Sequence, residues 1–138
     1  MGAPKVSIII SVFEQLAYTQ KCLGKLEDTL GGLITYEVII VDDASKDGTK
    51  EFLLSLKTPY RIFLNNTNQG FAKNNNFAAE KAKGEFLCFL NNDVFVMGNW
   101  LLPMIDVFKT KEKVGMVGNV QRLANSLRYD HMGMVFSP

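Results

Sequence analysis

The sequence predicts an α/β fold: a mostly parallel sheet flanked by helices on both faces. Three observations predict it. Four short runs are apolar at consecutive positions and rich in β-branched or aromatic residues, as strands buried on both faces require. Stretches with helical apolar spacing separate them. The amide- and carboxylate-rich stretches directly follow the strands, where open α/β sheets bind ligands.

The elements follow in order. Lys5 to Val12 (KVSIIISV) reads as the first strand. Leu16 to Leu30 carries apolar residues at Leu16, Leu23, Leu26 and Leu30, a helical spacing that Gly31-Gly32 ends. Tyr36 to Val41 is the second strand, and Asp47 to Leu56 a short helix with Ser45 or Asp47 as N-cap. Tyr60 to Leu64 is the third strand. Gly70 to Lys83 is an Ala-rich helix stopped by Gly84, and Glu85 to Leu90 is the fourth strand. Trp100 to Phe108 is again helical, with Asn99 in a capping position. Val114 to Val120 and Met132 to Phe136 read as further strands.

The 138 residues suffice for a domain with its own core. Apolar residues at 47%, charged residues at 21% and a formal charge of +1 describe a globular chain without a basic field for nucleic acid. No apolar run reaches the roughly 20 residues of a membrane span, so no transmembrane segment is expected. Cys22 and Cys88 sit alone in apolar segments and read as reduced core residues, which fits a cytoplasmic location.

Four loops open on one edge of the predicted sheet. They carry Ser11-Val12-Phe13-Glu14-Gln15, Asp42-Asp43-Ala44-Ser45, Asn65-Asn66-Thr67-Asn68-Gln69-Gly70 and Asn91-Asn92-Asp93. Capping explains Ser45 and Asp47. It explains Asp42-Asp43 poorly, because adjacent carboxylates repel and one cap needs one acceptor. Carboxylates at a crevice suit a hard cation such as Mg²⁺ or Mn²⁺, whose remaining ligands a diphosphate can supply. No G-x-G-x-x-G or G-x-x-x-x-G-K-[ST] is present, which disfavours a nicotinamide-type domain and excludes a P-loop.

VSIIISVFEQ, EVIIVDDASKDGT, NTNQGFAKNNNFAAEKAKGE and FLCFLNNDV resemble, in order and spacing, the main signatures of family 2 glycosyltransferases, and the later DHMGMVF resembles a segment found in one branch of that family. The resemblance implies a GT-A fold and sugar transfer from a nucleotide diphosphate donor, a UDP- or dTDP-sugar, to a glycan or lipid-linked hydroxyl acceptor, with inversion and a metal. By matching position, Ser11 and Phe13 would line the nucleoside pocket, along with the loop through Asn68 and Gly70. Asp43 would accept a hydrogen bond from the N3–H of the base, and Asp42 would buttress the loop. Asn91-Asn92-Asp93 stands where the family has its DXD motif, with Asp93 on the cation and Asn92 toward the ribose. Glu14 would lie near the diphosphate, and Lys73 would approach the phosphates.

The family's general base lies beyond DHMGMVF, and the only acidic residue from Gly115 onward is Asp130. Residues 1–138 are therefore expected to be the nucleotide-sugar-binding part of a longer GT-A domain. Such a portion would hold no catalytic base, bind donor only and self-associate through its C-terminal part. The full-length enzyme is expected at the inner face of the membrane. Two alternatives stay open: an inactive sugar-nucleotide-binding module and a nucleotidyltransferase.

Overall fold

The computed structural model describes residues 3–123 and 128–131, the last three of these by backbone alone. The chain divides into two compact units, Met1–Met97 and Gly98–Pro138.

The first unit is built on a four-stranded parallel sheet. Its strands are β1 (Val6–Val12), β2 (Tyr36–Asp42), β3 (Tyr60–Leu64) and β4 (Phe86–Phe89), in the order β3-β2-β1-β4. The register sets Ile9 beside Ile39 and Phe89, and Asp42 beside Leu64. Val6, Ile8, Ile9, Ile10 and Val12 are all fully buried, so alternation along β1 sends apolar side chains into a covered layer on either face. On one face, Ile9, Ile39 and Val41 pack against Ala78 of α3 (Phe71–Lys81), with Phe63 alongside. On the other, the Tyr60 hydroxyl donates to Glu27 of α1 (Leu16–Leu30) at 2.7 Å. The short α2 (Thr49–Ser55) joins β2 to β3.

The chain winds from β1 outward to β3, then crosses back to place β4 on the other side of β1. That reversal opens a crevice between the carboxyl ends of β1 and β4. The far end of the sheet is locked by a buried polar group. Ser7 donates to Glu37 at 2.7 Å, Arg61 Nη1 donates to Glu37 at 2.7 Å, and the Lys83 and Gly84 N–H groups donate to Glu37 and Ser7. Burial alone would raise the Glu37 carboxyl, but these bonds outweigh it and hold the group below its usual range. A Cβ on Gly84 would lie 2.5 Å from the Ser7 nitrogen and 2.7 Å from the Val6 carbonyl carbon, so only glycine fits.

The second unit holds α4 (Leu102–Thr110) and an antiparallel pair, β5 (Gln121–Arg122) with β6 (Tyr129–His131). Two expectations need correction. Val114 to Val120 is irregular: Gly115 and Gly118 interrupt it, and Met116 and Val120 are exposed, so it has no buried face to organise a strand. The helix begins at Leu102, with Pro103 in its first turn and no side-chain cap, so Asn99 does not cap it. The strand expected at Met132 to Phe136 lies outside the described residues.

Candidate functional site

Because the strands are parallel, the four polar loops converge at one sheet edge. There they enclose a hollow of about 350 Å³ lined by Ser11, Phe13, Asp43, Asn68, Gly70, Phe71, Asn91, Asn92 and Asp93.

Asp43 is its floor. The side chain is 3% exposed, and its two oxygens organise the third loop. Oδ1 accepts from the Gln69 N–H at 2.7 Å and from Asn65 Nδ2 at 2.9 Å, and Oδ2 accepts from the Gly70 N–H at 2.9 Å. Burial would raise this carboxyl, but the donors outweigh it and keep the group ionised, below the ordinary range. Oδ1 accepts two of these donors and Oδ2 only one, so the acceptor capacity that Asp43 keeps for a ligand lies on Oδ2, and the Asn74 amide also favours its charged form. Asp42 is also buried, and its Oδ1 accepts from the Ser45 N–H at 3.4 Å within the same loop.

A relay of amides joins Asp43 to Ser11. Asn65 Nδ2 also donates to Asn74 Oδ1 at 2.8 Å, and Asn74 Nδ2 donates to Ser11 Oγ at 3.1 Å. Asn74 is 2% exposed although it lies on α3, so this helix turns a polar position inward at the site.

The wall carrying Phe13 is set from another loop. Glu14 and Gln15 have positive φ, 56° and 62°, a conformation costly for residues with a side chain. The Glu14 N–H donates to Ser45 Oγ at 2.7 Å, and the Leu16 N–H at the start of α1 donates to Asp47 Oδ2 at 3.0 Å. Ser45 and Asp47 were expected to cap α2. Gly48 takes the N-cap position, Asp47 Oδ1 accepts from the N–H and hydroxyl of Thr49 at the start of α2, and Ser45 and the other Asp47 oxygen reach back about thirty residues to clamp the β1–α1 turn. Bonds from Thr49, then from Leu16, lower the Asp47 carboxyl against a smaller burial effect.

The Asn91-Asn92-Asp93 loop is seated on α1. Asn92 Nδ2 donates to the buried Thr19 hydroxyl at 3.1 Å, and the Cys22 thiol donates to the Asn91 carbonyl at 3.6 Å. Tyr18 stacks on Phe95 with centroids 6.1 Å apart, and Lys21 lies over the same ring. Burial, and then the nearby charge of Asp93, pushes the Cys22 thiol up to about 12, so it stays protonated. Asp93 itself is exposed at the hollow and has no ion-pair partner among the described residues. Those residues include no group of three metal-ligating side chains. The donor set therefore fits a hard cation that shares its ligands with a bound diphosphate, and does not fit a preformed protein cage.

Of the residues singled out from sequence, Ser11, Phe13, Asp43, Asn68, Gly70, Asn92 and Asp93 meet in the hollow. Glu14 and Lys73 do not line it: Glu14 sits in the clamped turn, and Lys73 is exposed in the first turn of α3. Sequence reasoning missed Phe71, Asn65 and Asn74. No helix among the described residues is long and apolar enough to cross a membrane.

The pattern of glycosyl transferase family 2 matches residues 7–134. Glycosyltransferase AglE of Haloferax volcanii is 35% identical over 101 residues, covering 71% of this chain and 33% of that protein. Among solved structures, S. aureus TarS 1-349 in complex with UDP-GlcNAc aligns with a TM-score of 0.65 at 26% identity, over 75% of this chain and 30% of that one. The mannosyltransferase PcManGT of Pyrobaculum calidifontis, solved with GDP-Man and Mn²⁺, aligns with a TM-score of 0.74 over 88% of this chain and 37% of that one. At 21% identity that likeness speaks for the fold, which is GT-A. This chain spans between about a fifth and a half of the length of the curated relatives it matches. With the family pattern covering nearly its whole length, the chain belongs to glycosyl transferase family 2.

Proposed function

We propose that the hollow is the donor site of a transferase that moves a sugar from a UDP- or dTDP-sugar to a hydroxyl acceptor, with inversion and with Mg²⁺ or Mn²⁺. The observation that carries this reading is the meeting, at the sheet's switch point, of an exposed aromatic ring, a buried ionised carboxylate and an exposed one: Phe13, Asp43 and Asp93. Phe13 offers its face to a base. Asp43 offers its remaining lone pair to a donor on the base edge, which uracil and thymine present at N3–H. Asp93, with nucleotide phosphates beside it, would hold the cation, which would offset the charge of the departing diphosphate. The UDP-GlcNAc complex of TarS supports a uridine diphosphate donor by similarity.

The reading assigns no base. Asp43 is occupied by its loop, and Asp93 serves the cation. An inactive binding module would share the donor site, so binding is the property tested here. Calorimetry with UDP, dTDP, GDP and ADP, in Mn²⁺ and in EDTA, checks it. UDP or dTDP should bind more tightly than ADP, and more tightly with Mn²⁺. Asp93→Asn should erase the metal dependence and leave uridine binding nearly unchanged. Equal UDP affinity in Mn²⁺ and EDTA would refute the metal role, and equal binding of ADP and UDP would refute Asp43 as the reader of the base.

A further inference from the structure

We propose that Phe71 is the second aromatic wall of the nucleoside site, covering the face of the base opposite Phe13 and setting how tightly a pyrimidine nucleotide is held. The inference rests on the donor-site reading above and adds a residue to it.

Phe13 and Phe71 enter the hollow from different loops, one after β1 and one at the start of α3. They are 50% and 59% exposed. Apolar area left in water forgoes about 25 cal/mol per Å² of burial, so two half-bare rings around one cavity are a cost that a flat apolar ligand would remove. Neither ring is spent on a neighbour. Neither belongs to the stacked pair of Tyr18 with Phe95 or to the edge-to-face pair of Phe63 with Phe77. Nor does Phe71 serve the core, since the buried residues of α3 are Asn74, Asn75 and Ala78.

The backbone holds Phe71 in place before any ligand arrives. The N–H groups of Gln69 and Gly70 are both bound to Asp43. Gly70 then turns the chain into α3 at φ 85°, and its carbonyl accepts from the Asn74 N–H at 3.2 Å. The residue that would read the base edge thus also fixes the ring that would cover the base face. A side chain at this position needs few new constraints to stack, which favours a measurable contribution to binding.

The test measures uridine and UDP binding by calorimetry for the wild type, Phe71→Ala, Phe71→Tyr and Phe71→Trp, with thermal unfolding as control. Stacking on one aromatic is worth enough that Phe71→Ala should weaken both ligands between about 5-fold and 150-fold. The fold-change should be the same for uridine and UDP, and the same with and without Mn²⁺, because the ring touches only the base. Tyr and Trp should restore binding, and the melting temperature should hold because the ring is exposed. Uridine binding by Phe71→Ala equal to that of the wild type, or no recovery with Tyr and Trp, overturns the proposal while leaving the donor site standing. A wild-type protein that binds neither uridine nor UDP overturns the donor-site reading itself, and this inference with it.

Discussion

Removing the clamp on the β1–α1 turn should weaken nucleotide binding as well as stability. The perturbation is the double variant Ser45→Ala, Asp47→Ala. It deletes the acceptors that hold the Glu14 N–H at 2.7 Å and the Leu16 N–H at 3.0 Å, and with Asp47 the acceptor of the Thr49 N–H at 3.2 Å and of its hydroxyl at 2.6 Å. The turn they hold is strained. Two side-chain-bearing residues at positive φ cost roughly 1–2 kcal/mol each, so about 2–4 kcal/mol must be offset locally. One neutral hydrogen bond near 1 kcal/mol and one to a carboxylate near 1.5–3 kcal/mol supply about that much, with the exposed carboxylate at the lower end. Without them the turn should relax to right-handed geometry. Relaxation recovers most of the strain, but the buried Thr49 also loses its acceptor, so urea unfolding should show a loss of about 2–4 kcal/mol. Phe13 is attached to the turn and should move with it, so UDP binding by calorimetry should weaken about tenfold or more. Ser45→Thr keeps the acceptor and should bind like the wild type. If the double variant loses stability but binds UDP unchanged, the β2–α2 loop does not set the pocket wall.

Two further outcomes follow from the far end of the sheet and from the carboxylates. Gly84→Ala places a methyl 2.5 Å from one backbone atom and 2.7 Å from another, so it should cost about 1–3 kcal/mol in urea unfolding; an unchanged midpoint would contradict this packing. Glu37, Asp43 and Asp47 all have folded pKa values below their ordinary ones, so their contribution is complete above roughly pH 4 and is lost as pH falls through the lowered values. Unfolding free energy should therefore be insensitive to these groups from pH 6 to 8 and decline below about pH 4; a decline that begins near pH 6 would place the titrating group elsewhere.

Most of the sheet was legible because β1 and β2 are buried on both faces, which writes a continuous apolar run into the sequence. Helix α1 was legible for the related reason that one stripe of it, through Leu23, Leu26 and Leu30, is buried. Val114 to Val120 misled, because an apolar run predicts burial only where something covers it, and Met116 there is 84% exposed. The site residues were legible wherever parallel strands alone bring them together. Ser11, Asp43, Asn68 and Asp93 share an edge because four strands end there. The clamp was not legible, since capping rules are local while Ser45 and Asp47 act on residues 31 positions away. Phe71 was hidden for the opposite reason. An aromatic at a helix start reads as core, and only its exposure says otherwise.

The amides explain why so polar an edge is stable. Asp43 needs donors, and Ser11 needs a donor if its own proton is to point at a ligand. Asn65 donates both of its amide hydrogens, to Asp43 at 2.9 Å and to Asn74 Oδ1 at 2.8 Å, and Asn74 accepts at one end and donates at the other, to Ser11 at 3.1 Å. Ser11 Oγ is then occupied as an acceptor and keeps its O–H to donate, while Asp43 keeps a lone pair to accept. Ser11 and Asp43 thus add a donor and an acceptor to a lining that also holds the rings of Phe13 and Phe71 and the polar groups of Asn68, Asn92 and Asp93. Among the described residues no buried side-chain nitrogen or oxygen lacks a partner, so none of this polarity leaves an uncompensated group in the core. A pyrimidine base carries adjacent N–H and C=O groups on a flat ring, and that pattern is complementary to the one the relay creates.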